Sequence, residues 1–396
     1  MELQLNVYYT IAIAVAILLV GESIKKRSKL LQKFCIPVPV IGGLLFTICL
    51  TAGVVSGSFK LVLDTSFNEF FSLLFYAGVG YTASWKLLKK GGPQVIVFLA
   101  LSSILVCLQN GLGVMLCKAM GLNPLIGLAT GSIPMVGGHG TSATWAVELE
   151  QAGLEAANTI SLAAATFGLV SGALIGGPVG RFLIERNGLK PNEEAEGMIL
   201  GEENAGHRAE ITEIEMTRGA YQILITIAVG AYISYLLKKT GLSFPASVGA
   251  MTAAAIFRNI ADYNPKIKLK LPEISIISHI SLLIFLALSM MTLKLWQLAD
   301  LALPMIVLLF SQVILMTIFA IFVTFPIMGK NFDAAVTTVG QCGFGLGAVP
   351  TAMANMRSVE EKYGSSPNAF FIVPLVGSLF INLVNTFIIT GFLNFL

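Results

Sequence analysis

The chain of 396 residues is 55% hydrophobic and 12% charged, with a net charge of +3 and a mean hydropathy of +0.81. Soluble globular domains carry about a quarter charged residues, so this composition excludes an ordinary soluble protein. Ten apolar segments approach the roughly 20 residues that a helix needs to cross a bilayer. They lie near 5–21, 36–56, 67–83, 94–119, 157–184, 218–237, 243–261, 275–293, 303–327 and 367–394. We therefore predict an all-α polytopic membrane protein.

Lysine and arginine are distributed unequally among the connections between these segments. If connections alternate between the two sides of the membrane, one side holds most of the basic residues, and the other keeps Lys60, Lys118, Lys238, Lys239 and Lys294. The positive-inside rule places the basic side in the cytoplasm and the N- and C-termini outside. The first apolar segment has its basic flank after it, which indicates a retained helix instead of a cleaved signal peptide.

One long polar stretch, 185–218, divides the apolar segments into two similar halves, 1–184 and 219–396. We predict that it is a cytoplasmic linker. "LLQKFCIPVPVIGG" from Leu30 matches "LLKKTGLSFPASVG" from Leu236, and "GSIPMVGGHGTSA" from Gly131 matches "GQCGFGLGAVPTA" from Gly340. Five crossings in each half would give the second half the opposite orientation, an inverted-topology repeat typical of secondary transporters. Six crossings would give a parallel repeat, but would place Arg357 and Lys362 outside and weaken the charge bias.

The two glycine-rich segments, 125–149 and 333–356, are poor candidates for continuous helices because glycine and proline interrupt both. Unwound backbone is tolerated in a membrane only against protein or a water-filled cavity. We therefore predict two re-entrant hairpins whose glycine-rich tips meet near the bilayer midplane. Free N–H groups at broken helices attract carboxylates, and free carbonyls suit a small cation. The spaced glycines Gly168, Gly172 and Gly176 instead favour close helix packing.

The blocks "GSIPMVGGHGTSATWA", "AAATFGLVSGALIGGPVGRFL", "LKLWQLADLALPM", "AIFVTFPIMGKNFDAAV" and "GQCGFGLGAVPTAMANM" together resemble the bacterial sodium/glutamate symporter family. The similarity extends over nearly the whole chain. The resemblance implies sodium-coupled uptake of L-glutamate across the bacterial inner membrane, by a homodimer with elevator-like movement. It implies sodium as the coupling ion, no cofactor, and no nucleic-acid partner.

The resemblance also implies which residues form the site. Matching positions assign substrate binding to the two tips, Gly137, Gly138, His139, Gly140, Thr141, Gly343, Phe344, Gly345, Leu346 and Gly347. The flanking polar residues Ser132, Thr351 and Asn355 lie close enough in sequence to reach a ligand and are further candidates for substrate binding. Ser142 also lies close enough in sequence to reach a ligand. For sodium the candidates are Gln341, Asn110, Asn382 and Asn385. Amide side chains within apolar segments, including Gln109, face a cavity or join helices by hydrogen bonds, and the sequence leaves both interpretations open.

Several alternatives remain open at this stage. The second carboxylate of glutamate has no partner in mid-span, so either backbone N–H groups hold both anions or Lys294, Arg258 or Arg357 reaches in. A proton-coupled transporter or another small carboxylate substrate is the nearest alternative function. A channel would need a continuous polar path, and an enzyme would need an acid partner for His139. The five cysteines lack metal-ligand spacing, so we expect no transition metal.

Overall fold

The computed structural model describes residues 2–34, 36–55, 60–90, 92–191, 212–239, 245–264, 266–293 and 301–396. A parallel two-stranded sheet pairs β1 (Glu2–Leu5) with β2 (Lys60–Leu63). The helices of the first half are α1 (Val7–Arg27), α2 (Lys29–Lys33), α3 (Val38–Val55), α4 (Asn68–Thr82), α5 (Trp85–Lys90), α6 (Gly92–Ala119), α7 (Leu125–Ala129), α8 (Ser132–Met135), α9 (Gly138–Gln151) and α10 (Ala157–Asn187).

The second half follows the same order. Its helices are α11 (Glu213–Lys238), α12 (Ala246–Tyr263), α13 (Leu271–Met291), α14 (Ala302–Phe319), α15 (Phe325–Ile327), α16 (Phe332–Leu346), α17 (Val349–Tyr363), α18 (Pro367–Pro374) and α19 (Ile381–Phe395). A π-helical turn, Ala320–Thr324, joins α14 to α15, and a second, Leu375–Phe380, joins α18 to α19. These turns make α14–α15 and α18–α19 two long continuous rods.

Each of the ten predicted apolar segments coincides with a helix or a helical rod. Seven of the described helices are long and apolar enough to cross a membrane, which confirms the all-helical polytopic prediction. The other three, α3, α4 and α12, are shorter or less apolar. The 15 residues of α4 rise only about 22 Å, less than the roughly 30 Å of a bilayer's hydrocarbon core.

The helices extend further into the polar connections than the hydropathy pattern predicts. Helix α1 continues to Arg27, and a 2.7 Å ion pair joins Lys26 to Glu22 one turn earlier. Helix α10 runs to Asn187 and α11 begins at Glu213, so both enter the predicted linker 185–218. Residues 192–211 of that linker lie outside the described residues. Charged residues are good helix formers, and hydropathy therefore underestimates helix length at the ends.

The helices form two bundles. The support bundle contains α1, α3 and α4 of the first half and α11, α12 and α13 of the second. The core bundle contains α6 to α10 and α14 to α19, and it surrounds the largest hydrophobic core. Each bundle therefore receives corresponding elements from both halves of the chain.

Small residues allow close helix contact within the support bundle. Gly78 of α4 lies directly against Ser278 of α13, and Gly230 of α11 lies against the backbone of Ala250 in α12. The Thr47 hydroxyl donates a hydrogen bond of 2.7 Å to the Met290 carbonyl. Such contacts are the usual means of helix association in lipid, where the hydrophobic effect between helices is weak.

The two bundles meet where α9 and α10 pack against α3, α4 and α13. An apolar cluster fills this interface, and its fully buried members are Val40, Ala143, Leu162, Phe285, Leu286, Met290 and Leu293. Beside this cluster, two hydroxyl pairs cross the interface. The Tyr76 hydroxyl donates to Thr141 Oγ1 at 3.2 Å, and Ser72 Oγ lies 3.2 Å from Thr144 Oγ1.

Candidate functional site at two interrupted helices

The first glycine-rich segment is divided into three short helices, α7, α8 and α9. The chain leaves α7 at Thr130 and Gly131, and leaves α8 at Val136 and Gly137. Helix α9 then begins at Gly138, whose φ of 61° lies in the left-handed region that glycine adopts without steric cost. The amide of Asn123, before the segment, donates to the Gly153 carbonyl, after it, at 3.5 Å. The segment therefore returns to the end of the bundle where it began.

Two asparagines hold the break between α7 and α8 in place. Asn110 Oδ1 of α6 accepts the Ser132 N–H at 2.9 Å. Asn385 of α19 accepts the Ser132 hydroxyl at 2.7 Å and donates Nδ2 to the Ser132 carbonyl at 3.2 Å. All three residues are almost fully buried. The polar groups that α8 exposes by starting inside the bundle are thus satisfied by side chains of neighbouring helices.

The second glycine-rich segment is a helical hairpin. Helix α16 ends at Leu346, and α17 begins at Val349 after a turn at Gly347 and Ala348. The two helices pack side by side, with Gly343 against the backbone of Ala352. The sequence predicted the turn across the whole glycine-rich run, but Gly343 to Leu346 lie inside the last turn of α16. Gly343 serves the close contact of the two helices, and Gly345 instead faces Met316 of α14 and Leu105 of α6.

Both ends of this hairpin also lie together. The Ser366 hydroxyl, after α17, donates to Asp333 Oδ1, at the start of α16, at 2.6 Å. The side chain of Asn331 caps α16 by accepting the Ala334 N–H at 2.8 Å. Helix α10 ends nearby, where the Tyr363 hydroxyl donates to a carboxylate oxygen of Glu185 at 2.8 Å.

Amide side chains also satisfy the interrupted end of α16. Gln109 Nε2 donates to the Gly345 carbonyl at 2.8 Å, and Gln312 Nε2 donates to the Gln109 carbonyl at 2.9 Å. Asn355 Nδ2 of α17 donates to the Gly172 carbonyl of α10 at 2.8 Å. Gln341 Oε1 accepts the Thr324 hydroxyl at 2.5 Å. These bonds are buried in the core bundle.

The two interruptions meet. A Cβ atom on Gly138 would lie 3.2 Å from the carbonyl oxygen of Gly347. Helix α10 packs against both of them, because a Cβ atom added to Gly168 would press on the Leu346 carbonyl and lie 3.2 Å from the sulfur of Met135. The predicted packing role of Gly168 thus takes a specific form: it brings α10 against the two tips.

His139 lies just beyond the first interruption, where α9 begins. It is 5% exposed, and its Nε2 lies 3.0 Å from the hydroxyl of Thr166 on α10. Thr141, two residues further on, faces Tyr76 of the support bundle. The first tip therefore touches both the core bundle and the bundle interface.

The other predicted residues are placed as follows. Phe344 packs in the hydrophobic core with its ring 5.9 Å from that of Phe98, and Leu346 is fully buried. Thr351 and Ser142 are buried, and each hydroxyl has no hydrogen-bond partner among the described residues. Asn382 Nδ2 donates to the Ser378 carbonyl of its own rod at 3.5 Å. Gly140 lies at the bundle interface beside Phe75 and Leu282.

Neither of the two described basic residues that the sequence offered as partners for glutamate, Arg258 and Arg357, reaches the tips. Arg258 forms a 3.1 Å ion pair with Asp262 on the same helix, α12, which packs in the support bundle. Arg357 lies on the exposed side of α17. Lys294 lies outside the described residues.

Sequence reasoning did not identify Ser72, Tyr76 or Gln312, because only tertiary packing brings these residues to the tips and the bundle interface. It also did not identify a cavity of about 600 Å³ between the bundles. The ends of α4, α9, α10 and α13 surround this interface cavity. Ala143 of α9 lines it, and His139 lies one helical turn further along the same helix.

Two interrupted helices, packed tip to tip in a bundle of membrane-crossing length, define this protein as an integral membrane transporter of the secondary type. The family model described as "Sodium/glutamate symporter" matches residues 3–365. A sodium/glutamate symporter of Haemophilus influenzae is 38% identical over 389 residues, covering 97% of this chain and 96% of the relative. One of Escherichia coli is 38% identical over 395 residues, covering 98% of each chain. The chain belongs to the sodium/glutamate symporter family.

Proposed function

We propose that this protein couples inward movement of sodium to uptake of L-glutamate across the bacterial inner membrane. The observation that carries the proposal is the direct contact of the two tips at Gly138 and Gly347, in a chain of this family. The curated relatives, which match this chain over nearly their full length, are named as sodium/glutamate symporters. Sodium is the coupling ion in this proposal, and the protein is a transporter, not an enzyme.

The arrangement of helix ends supports binding of a dicarboxylate without a buried lysine or arginine. Helix α9 begins at Gly138 and α17 begins at Val349, so both present an N-terminus at the tips. A helix N-terminus carries unpaired N–H groups and the equivalent of about half a positive charge. We infer that one carboxylate of glutamate binds at each N-terminus. His139 lies beside the first, and Thr351, whose hydroxyl has no hydrogen-bond partner among the described residues, lies beside the second.

In this proposal the other site residues shape the tips or hold them in place. The tip residues Gly137, Gly140, Thr141, Gly343, Gly345 and Gly347 shape the backbone. Ser132 and Asn355 fix the tips through their bonds to Asn385 and Gly172. Of the four sodium candidates, Asn110 and Asn385 already bind Ser132, and Gln341 already binds Thr324. In this proposal these three affect sodium chiefly by holding the tip backbone, and Asn382 bonds the Ser378 carbonyl of its own rod.

The structure also gives support for inverted repeats and re-entrant hairpins. Each glycine-rich segment has its two ends together, 123 with 153 and 333 with 366. We infer that the first enters the membrane from outside and the second from the cytoplasm. The repeats are then 1–184 and 219–396, with hairpins at about 125–149 and 333–356.

Glutamate uptake driven by an imposed sodium gradient tests the function. Reconstituted protein should accumulate radiolabelled glutamate only when sodium is higher outside the vesicle, because the family resemblance assigns sodium as the driving ion. Uptake is measured with sodium, potassium or choline outside at one ionic strength. Uptake driven by external acid in sodium-free medium would instead establish proton coupling.

Gly138→Ala tests the tip contact. Alanine pays about 1–2 kcal/mol in the left-handed region, and its methyl group would press on the Gly347 carbonyl. We expect weaker apparent affinity for glutamate or sodium with normal amounts of folded protein. Gly121→Ala is the matched control, because Gly121 has a φ of 68° and open space around its Cβ position. Equal effects of both substitutions would trace the loss to backbone strain and reject a tip site.

Both termini lie outside the cytoplasm in this proposal, and the 185–218 linker lies inside. The pairing of β1 with β2 puts the N-terminus at the same end as the connection between α3 and α4, as two crossings by α1 and α3 require. A reporter fused after Leu396 that is active only outside the cytoplasm is the expected result. Activity of that fusion only in the cytoplasm would overturn the topology.

We further infer that the core bundle carries the tips across the membrane by sliding along the support bundle. Ser72 and Thr144 face each other across this interface at 3.2 Å. Oxidation of a Ser72→Cys/Thr144→Cys pair should therefore abolish uptake, and reduction should restore it. Each single-cysteine variant under oxidation is the control. Unchanged uptake after complete cross-linking would exclude sliding.

The homodimer stays a prediction, and light scattering of the purified protein would measure the number of chains in the assembly.

A further inference from the structure

The imidazole of His139 is a buried, neutral group at the first tip. It is 5% exposed, and it forms no ion pair with any residue that the structure describes. An isolated charge in such a place costs far more than a neutral ring does. A neutral imidazole has one N–H group and one bare nitrogen, so one ring nitrogen of His139 donates and the other accepts.

Thr166 of α10 decides which nitrogen of the ring carries the proton. Its hydroxyl donates its single proton to the Leu162 carbonyl, one turn earlier on the same helix, at 3.0 Å. The Thr166 oxygen is then an acceptor for His139 Nε2, which lies 3.0 Å away. The proton of the ring is therefore on Nε2, and Nδ1 is the bare nitrogen. Nδ1 faces another side of the ring and has no hydrogen-bond partner within the described part of the chain.

The pair of His139 and Thr166 lies on the helix faces that border the interface cavity. Ala143 of α9 and Thr159 of α10 line this cavity. His139 precedes Ala143 by one turn, and Thr166 follows Thr159 by two turns. Residues four or seven apart share one face of a helix, so the pair lies deeper in the protein on the same two faces. The pair therefore lies between the cavity and the first tip.

We propose that His139 Nδ1 accepts the α-ammonium group of glutamate, and that Thr166 is the positioning residue that makes Nδ1 an acceptor. The inference rests on the proposed function and assigns the orientation of glutamate in that site. The ammonium group and the α-carboxylate share one carbon atom. An α-carboxylate at the N-terminus of α9 therefore puts the ammonium group beside His139, the second residue of that helix. The side-chain carboxylate then binds at the N-terminus of α17, where the buried Thr351 hydroxyl has no partner among the described residues.

This assignment makes His139 the residue that distinguishes an amino dicarboxylate from a plain dicarboxylate. Glutarate has the two carboxylates and the chain length of glutamate but lacks the amino group. A buried acceptor that loses its donor weakens binding, so a site built in this way rejects such an analogue. The unmodified protein should therefore bind L-glutamate more tightly than glutarate.

Competition binding to the purified full-length protein in sodium buffer tests the assignment. Radiolabelled L-glutamate is displaced by unlabelled L-glutamate or by glutarate, and the ratio of the two half-displacing concentrations measures the preference for the ammonium group. His139→Gln can still donate to Thr166 but has no acceptor at the Nδ1 position. It should lower the preference about tenfold, which corresponds to about 1.4 kcal/mol, and leave the affinity for glutarate unchanged. His139→Asn puts an amide oxygen near the Nδ1 position and should keep most of the preference.

Substitutions at Thr166 test its positioning role. Thr166→Val keeps the shape of the side chain and removes the acceptor of the Nε2 proton, so the preference should fall about threefold. Thr166→Ser keeps the hydroxyl and should retain the preference. Thr317→Val is the matched control, because Thr317 of α14 also donates to the carbonyl four residues earlier, that of Val313, at 2.8 Å. If His139→Gln prevents folding, the two Thr166 variants decide the test.

The outcomes separate this inference from the proposed function. Equal weakening of glutamate and glutarate by His139→Gln would mean that the ring binds a carboxylate or only supports the tip, and would reject the assignment. An unchanged preference in both His139→Gln and Thr166→Val would also reject it, even if sodium drives glutamate uptake by the unmodified protein. A preference that depends on His139, in a protein whose uptake needs no sodium, would support the assignment and overturn the proposed coupling.

Discussion

The structure depends on how two interrupted helices satisfy their backbone inside an apolar bundle. An unpaired N–H or carbonyl group in a water-free interior costs about 1–3 kcal/mol. Here neighbouring helices provide the missing partners as amide side chains: Asn110 and Asn385 at Ser132, and Gln109 at Gly345. These amides are costly in lipid on their own, and the broken helices are costly without them. The broken helices therefore explain why buried amides are present, and the amides explain how broken helices are tolerated.

Gln109 and Asn110 are adjacent on α6, and they hold opposite tips. Successive residues of a helix point about 100° apart, so one short stretch of α6 reaches both α16 and α8. Gln312 of α14 then binds the Gln109 carbonyl and joins the corresponding rod of the second half to the same point. A movement of one tip against α6 thus disturbs the bonds of the other. We regard this shared anchor as the physical basis on which two ligands at the tips would influence each other.

Composition and hydropathy predicted the ten helical segments, because the apolar residues that indicate each helix all lie within that segment. The glycine and proline positions predicted where helices break, but not the turn of the second hairpin, which falls at Gly347 and Ala348. Gly343 and Gly345 remain helical, since α16 packs against α17 and α6 there. The sequence could not choose between cavity-facing and joining roles for Asn110 and Asn385. That choice depends on Ser132, which is distant in sequence, and no local pattern encodes it.

Each bundle combines helices from both halves of the chain. Three helices of one half and three of the other form the support bundle, and the interrupted helices with their flanking rods form the core bundle. This arrangement puts the N-termini of α9 and α17 at one place, although they belong to different halves. Two helix N-termini offer partial positive charge without a cationic side chain. In the proposed mechanism these two N-termini hold the dicarboxylate, because Arg258 pairs with Asp262 in the support bundle and Arg357 lies on the exposed side of α17.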